Sequence, residues 1–295
     1  MGYISVAEAA RRWGLSERSV RNYCANGRIE GAFITGKTWN IPDNADKPDR
    51  LNKHTDLQAD LLSRLKAEKQ AKLPGGIYHR VQIDLTYNSN HIEGSRLTHE
   101  QTRLIFETNT IGAADSVRVD DVVETANHFR CIDMIIDSAA YAPSESFLKQ
   151  LHAVLKNGTS DSRLDWFAVG EYKKLPNEVG GRETTAPEKV AAAMKKLLSD
   201  YNINKKKTLY DLLDFHYRLE AIHPFQDGNG RVGRLILFKE CLRNGIVPFI
   251  ISDELKLFYY SGLQNWLNDR AYLHDTCLTA QDQFKKVLDY FKITY

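Results

Sequence analysis

The chain has 295 residues, 42% of them apolar and 26% charged, with a formal net charge of +2. That length suits one small and one larger domain with real cores, and the near-neutral balance says almost nothing about nucleic-acid binding by the protein as a whole. Cys24, Cys131, Cys241 and Cys277 are scattered without ligand spacing, which argues against zinc and disulfides, and neither a signal peptide nor a bilayer-spanning run is visible, so a cytoplasmic protein is expected.

The N-terminus reads as a small module. Ile4 to Ala10 opens a short helix, Gly14-Leu15-Ser16 makes a turn, and Ser16 can cap a second helix over 17–25. A hairpin follows, with Gly36-Lys37 at its tip and Trp39-Asn40-Ile41-Pro42 closing it. The pattern of residues 1–48 resembles the winged helix-turn-helix of the excisionase and MerR-like families. The resemblance implies that Arg18, Ser19, Arg21 and Asn22 face DNA from the second helix, with Lys37 on the wing at a phosphate. Seven Lys/Arg against five Asp/Glu through Lys47 make the module only mildly basic, so a homo-oligomer or other avidity is expected if it binds DNA. The competing reading is a helix-turn-helix used for protein contacts.

Residues 49–75 read as a polar linker and a connecting helix, whose Leu57, Leu61, Leu62 and Leu65 form an apolar stripe. The larger domain then runs over 76–295 and is mainly α-helical. Its first helix, 76–94, carries Ser89 and Glu93 one turn apart, and Gly94 suits the position that ends it. Thr98 to Gln101 reads as a capping box opening the next helix. Gly170-Glu171-Tyr172-Lys173 through Val179-Gly180-Gly181 has the glycines of a turn between short strands. Lys205-Lys206-Lys207 reads as a solvated loop. Leu209 to Ile222 is helical and carries His216, expected to be buried, and Glu220, expected to face solvent.

The most informative stretch is His223-Pro-Phe-Gln-Asp-Gly-Asn-Gly-Arg-Val-Gly-Arg234. A glycine-flanked turn before a helical run over 231–243 aims backbone N–H groups at one point, and the helix adds the positive end of its dipole. Arg231 and Arg234 share a helix face and reach phosphate oxygens; Asp227 beside them can hold a Mg²⁺ that also touches phosphate. His223, held out of helical geometry by the proline that follows it, is an imidazole of ordinary basicity suited to general-base work. Phe225 reads as an anchor in the core.

This string resembles the signature of Fic-domain proteins, H-P-F-x-[D/E]-G-N-G-R-x-x-R, without departure. The resemblance implies an α-helical Fic fold with a β-hairpin flap that docks a target segment by strand addition. It also implies transfer of AMP from ATP, with Mg²⁺, to a Ser, Thr or Tyr hydroxyl of a target protein. His223 is then the base and Asp227 the metal ligand. Gly228, Asn229 and Gly230 hold the α-phosphate, Arg231 and Arg234 the β- and γ-phosphates, and Tyr260 lies near the adenine. Ser89, Glu93 and Gly94 fit the family's inhibitory pattern [S/T]-x-x-x-E-[G/N], in which Glu93 pairs with Arg234 and excludes the γ-phosphate. Two alternatives stand beside this reading: removal of AMP with Glu93 positioning water, and an ATP-sensing transcriptional regulator without transferase activity.

Overall fold

The computed structural model describes residues 2–25, 29–36, 38–48, 60–112 and 116–295. It divides into two compact units, Met1–Asp56 and Leu57–Tyr295.

The small unit begins with strand β1 (Tyr3–Ser5), not with helix, because Ile4 pairs with Ile41 across an antiparallel ladder. Ser5 then caps helix α1 (Val6–Trp13), its hydroxyl accepting the Glu8 N–H, and Gly14 ends the helix in left-handed backbone. Ser16 accepts the Ser19 N–H at the start of α2 (Glu17–Ala25). Strands β2 (Phe33–Thr35) and β3 (Thr38–Pro42) complete a sheet of order β1-β3-β2. Val6, Ala9 and Trp13 meet Val20, Cys24, Ile29 and Ile41 in a separate core. Arg18 and Arg21 are exposed on α2, Arg21 paired with Glu17 at 2.9 Å. Ser19 spends its hydroxyl locally, 2.9 Å from that of Ser16. Lys37 and the Asn22 side chain lie outside the described residues.

The larger unit is a helical bundle: α3 (Leu61–Ala71), α4 (Ile77–Ile92), α5 (His99–Thr108), α6 (Val119–Asp137), α7 (Glu145–Leu155), α8 (Pro187–Ile203), α9 (Leu209–Ile222), α10 (Asn229–Arg243), α11 (Lys256–Asn265) and α12 (Arg270–Tyr290). Helix α10 runs through the centre, buried on all sides from Arg231 to Leu242, and α4, α6, α7 and α9 pack on it. Although it carries Arg231, Arg234, Lys239 and Glu240, α10 is enclosed by its neighbours on every side, so its N-terminal end lies inside the bundle rather than at a free edge. Leu61 and Leu65 of α3 sit in the same core as Leu85, Phe215 and Leu235, so α3 belongs to this unit and is not a free connector; Leu57 lies outside the described residues. The capping box opening α5 forms as expected.

The hairpin is shorter than expected: β4 (Glu178–Val179) and β5 (Arg182–Glu183) flank Gly180 and Gly181, both at positive φ. Residues 170–173 lie outside it, because the Lys173 N–H donates to the Pro224 carbonyl instead of to a strand. Lys207 is tied down as well, its ammonium 4.3 Å from the Tyr201 ring centroid and bonded to the Tyr201 carbonyl. All four cysteines are free and buried, and no helix among the described residues is long and apolar enough to cross a membrane.

Candidate active site

Helix α9 ends at His223, whose N–H still donates to the Leu219 carbonyl while its own backbone is left-handed, φ 51° and ψ 62°. His223 thus lies outside right-handed helical geometry, as expected, and a non-glycine residue stays in this left-handed region only where its surroundings hold it. Those surroundings are visible. Phe225 is fully buried and stacks on His152 with ring centroids 4.1 Å apart. The Phe225 N–H donates to Asn229 Oδ1 and the Asn229 amide donates back to the Phe225 carbonyl, both at 2.8 Å. Asn229 therefore closes the loop with both of its amide groups. At the start of α10, Gly228 stands as N-cap in left-handed backbone and no side chain caps the first turn, so its backbone N–H groups are left without side-chain acceptors.

His152 steadies the loop from behind. Its Nδ1 accepts the Gly170 N–H at 2.9 Å and its Nε2 lies 3.1 Å from the Asp227 carbonyl, which fixes a neutral tautomer donating from Nε2. Burial pushes its pKa down to about 4.

Asp227 is the acidic member of the loop. Burial opposes its charge, but Arg231 and Lys156 outweigh burial and hold its pKa at about 2. Lys156, itself 2% exposed, lies 2.6 Å from Asp227 Oδ2, 2.6 Å from Glu124 Oε1 and 3.0 Å from Asp161 Oδ2. Arg231 joins the network through Asp227 at 3.1 Å and through Glu124. A polar cavity of about 180 Å³ opens over this cluster, lined in part by Glu93, Arg118, Glu124, Lys156, Asp227 and Arg231. Among the described residues no three His, Cys, Asp or Glu side chains converge as a metal cage. Mg²⁺ needs none, since it binds through one or two carboxylates completed by substrate phosphates and water. Asp227 fits that use through the oxygen that Lys156 and Arg231 leave free. Lys156→Met leaves Asp161 without its cation and Glu124 and Asp227 with Arg231 alone. A fully buried pair broken from one side costs about 3–5 kcal/mol, and with Asp161 and Asp227 half-exposed, urea unfolding of the variant is expected to show a loss of up to about 3 kcal/mol.

Arg234, one turn further along α10, meets α4. Its Nε donates to Ser89 Oγ at 3.1 Å, and its Nη2 to the Ser89 carbonyl at 2.9 Å and to Glu93 Oε1 at 2.6 Å. The guanidinium is 6% exposed; burial works against its charge, and Glu93 more than restores it. Gly94 follows at φ 94° and ends α4 as expected. A Cβ at Gly230 would lie 2.4 Å from Glu93 Oε1, so the Glu93 carboxylate rests directly on the first turn of α10.

Glu220 is not the exposed carboxylate expected but is half-buried. Its Oε1 is buried without a partner, 2.4 Å from where a Cβ on Gly233 would stand, and burial pushes its pKa up to about 7. The notch left by Gly233 admits it beside His216, whose Nε2 lies 2.6 Å from the Tyr259 hydroxyl. His216 is thus the buried structural group expected, with its pKa pushed by burial to about 3. Tyr260 is half-buried beside Tyr259, and Glu93 and Arg234 act on its hydroxyl electrostatically. His223 itself departs from ordinary basicity, because burial lowers its pKa. Sequence reading missed Glu124, His152, Lys156 and Lys173. Each acts through partners far away in the chain, and no local spacing marks them.

Comparison with known proteins agrees with this geometry. Residues 142–240 match the Fic/DOC family. The chain is 32% identical over 187 residues to the protein adenylyltransferase Fic of Drosophila willistoni, covering 60% of this chain and 35% of that protein. Its counterpart in Aedes aegypti is 27% identical over 234 residues, covering 77% and 45%. The chain therefore spans between a third and a half of the length of these relatives. A Fic-domain-containing signalling protein from Bacteroides thetaiotaomicron superposes with a TM-score of 0.60 at 24% identity, over 78% of this chain and 93% of that one. Fic-1 from C. elegans superposes at 0.62 and 20% identity, over 77% and 66%. The larger unit has the Fic fold.

Proposed function

We propose that this chain is an autoinhibited protein adenylyltransferase. The observation that carries the reading is the convergence of three features on one point: an imidazole locked at the end of α9, the uncapped N-terminus of α10, and two buried arginines. In the reaction, His223 takes the proton of a Ser, Thr or Tyr hydroxyl on a target protein as its oxygen attacks the α-phosphorus of ATP. The bond from the α-phosphorus to the bridging oxygen breaks, and pyrophosphate leaves. The N–H groups of Gly228, Asn229 and Gly230 take the charge that builds on the α-phosphate oxygens; Arg231 and Arg234 hold the leaving phosphates. Asp227 would hold a Mg²⁺, which when bound would neutralise part of the same charge, and Tyr260 would border the adenine. Glu93 keeps Arg234 from the γ-phosphate in the resting state, while Ser89 holds the guanidinium in place. The test is transfer of label from α-³²P-ATP to protein. Label on neither this chain nor any cell protein, with ATP still bound, would instead support a nucleotide-sensing regulator.

A second reading has its own support: the Glu93 carboxylate lies over the first turn of α10, where it can also position water against an AMP–protein bond. Release of AMP from a modified target, lost in Glu93→Gln, identifies that activity.

We further propose that residues 1–48 bind DNA through α2, with Arg18, Ser19, Arg21, Asn22 and Lys37 at the duplex and with a homo-oligomer supplying avidity. Binding to its own promoter region is expected to weaken steeply with salt. Arg21→Ala is expected to weaken it further while leaving AMP transfer unchanged, as gel shift and the labelling assay measure. Salt-independent binding would point to a protein partner for this unit.

A further inference from the structure

Among the described residues three lysines are buried: Lys156, Lys173 and Lys239. Lys156 and Lys239 each meet a carboxylate. Lys173, 3% exposed, has only neutral partners: Nζ donates to Asn177 Oδ1 at 2.7 Å, to Thr184 Oγ1 at 2.6 Å and to the Ile222 carbonyl at 3.4 Å. An ammonium buried without a counter-ion is costly, and the cost appears in its pKa, which burial pushes down to about 8.

Its placement relates that cost to the site. The ammonium holds the carbonyl of the residue before His223, and the Lys173 backbone N–H holds the carbonyl of the residue after it, at 2.8 Å. Asn177 and Thr184 stand at the two feet of the β4–β5 hairpin. One residue thus grips the chain on both sides of His223 and fastens the hairpin to it. The forces on the His223 imidazole come from several elements. Burial lowers its pKa, and the Glu220 carbonyl, 3.4 Å from Nδ1, raises it; the Lys173 charge lowers it, while Glu93 from α4 and Asp227 from the loop raise it. Two carboxylates therefore favour the imidazolium, and Lys173 opposes them.

We propose that Lys173 is the positioning residue of His223: it anchors the hairpin to the catalytic loop and, as a fixed cation beside the imidazole, keeps His223 neutral and ready to accept a proton. The catalytic half of this proposal rests on His223 being the base; the electrostatic half does not.

The experiment is a titration of the full-length protein with isotope-labelled histidine by NMR, the His223 signal being assigned by its loss in His223→Ala. Lys173→Gln keeps hydrogen bonding and removes the charge, Lys173→Met removes both, and Lys173→Arg keeps the charge. Removing a nearby cation stabilises the imidazolium, so the His223 midpoint is expected to rise by roughly half a unit or more in the Gln and Met variants and to stay in place in the Arg variant. The acid limb of the AMP-transfer pH profile should move upward with it. If any one of these variants fails to fold, by circular dichroism and melting, the others decide. An unmoved midpoint in a folded Gln or Met variant, or an Arg variant that shifts as Gln does, overturns the proposal; so does a uniformly lower rate with the acid limb unmoved. A midpoint that rises in a protein transferring no AMP upholds the electrostatic assignment and sinks the transferase reading instead.

Discussion

Replacing His223 by alanine is expected to lower AMP transfer on the order of 10²–10⁴-fold while leaving ATP affinity nearly unchanged. The split follows from geometry. His223 closes α9, and the donors suited to the phosphates belong to the first turn of α10 and to Arg231 and Arg234. The loop between them is held by Phe225, Asn229 and His152, none of which uses the imidazole, so the variant should keep its nucleotide site. Single-turnover labelling gives the rate and calorimetry the affinity. A variant that still labels its target near the parent rate shows that another group takes the proton. Glu220, with its pKa near 7 and its place three residues earlier on α9, would be the first to examine.

Glu93→Gly is expected to raise AMP transfer, self-modification included, by at least about tenfold, since 1.4 kcal/mol is one decade. Two effects add. On the proposed reading, the substitution removes an anion lying against the turn that would seat the polyphosphate, and it frees the Arg234 Nη2 hydrogen now given to Glu93 Oε1 at 2.6 Å for the γ-phosphate. Each is worth a few kcal/mol in a partly buried site. The Ser89 hydroxyl and carbonyl still hold Arg234 after Glu93 is gone, so the guanidinium stays aimed while its charge is released. Adding Arg234→Ala should cancel the gain. An unchanged rate and ATP affinity in the single variant, or an undiminished gain in the double one, would sink the inhibitory assignment.

The sequence by itself determined what depends on neighbours within a few residues. The glycines around Asn229 bring α10 to an uncapped start, Thr98 and Gln101 cap α5, and Ser89 and Glu93 fall one turn apart. All of these are short-range consequences of backbone freedom and helical period. Phe225 was legible as an anchor because an aromatic in such a loop belongs in the core, and His216 as a buried group from its place in the family resemblance. Tertiary structure decided the rest. Asn229, free by its spacing to meet a phosphate, is claimed by the Phe225 backbone 2.8 Å away. Glu220 reads as a surface carboxylate until Gly233 of the facing helix opens a notch for it. Ile4 turns from helix to strand because Ile41 offers a ladder, and the hairpin shortens because Pro224 takes the Lys173 N–H. The charge network of Glu124, Lys156 and Asp161 around Asp227 had no local signature at all: it joins α6, the end of α7, the segment after it and the loop before α10. Local spacing fixes which way a side chain leaves its own helix, but what it meets, and hence its charge state, is set by whichever elements the core brings against it.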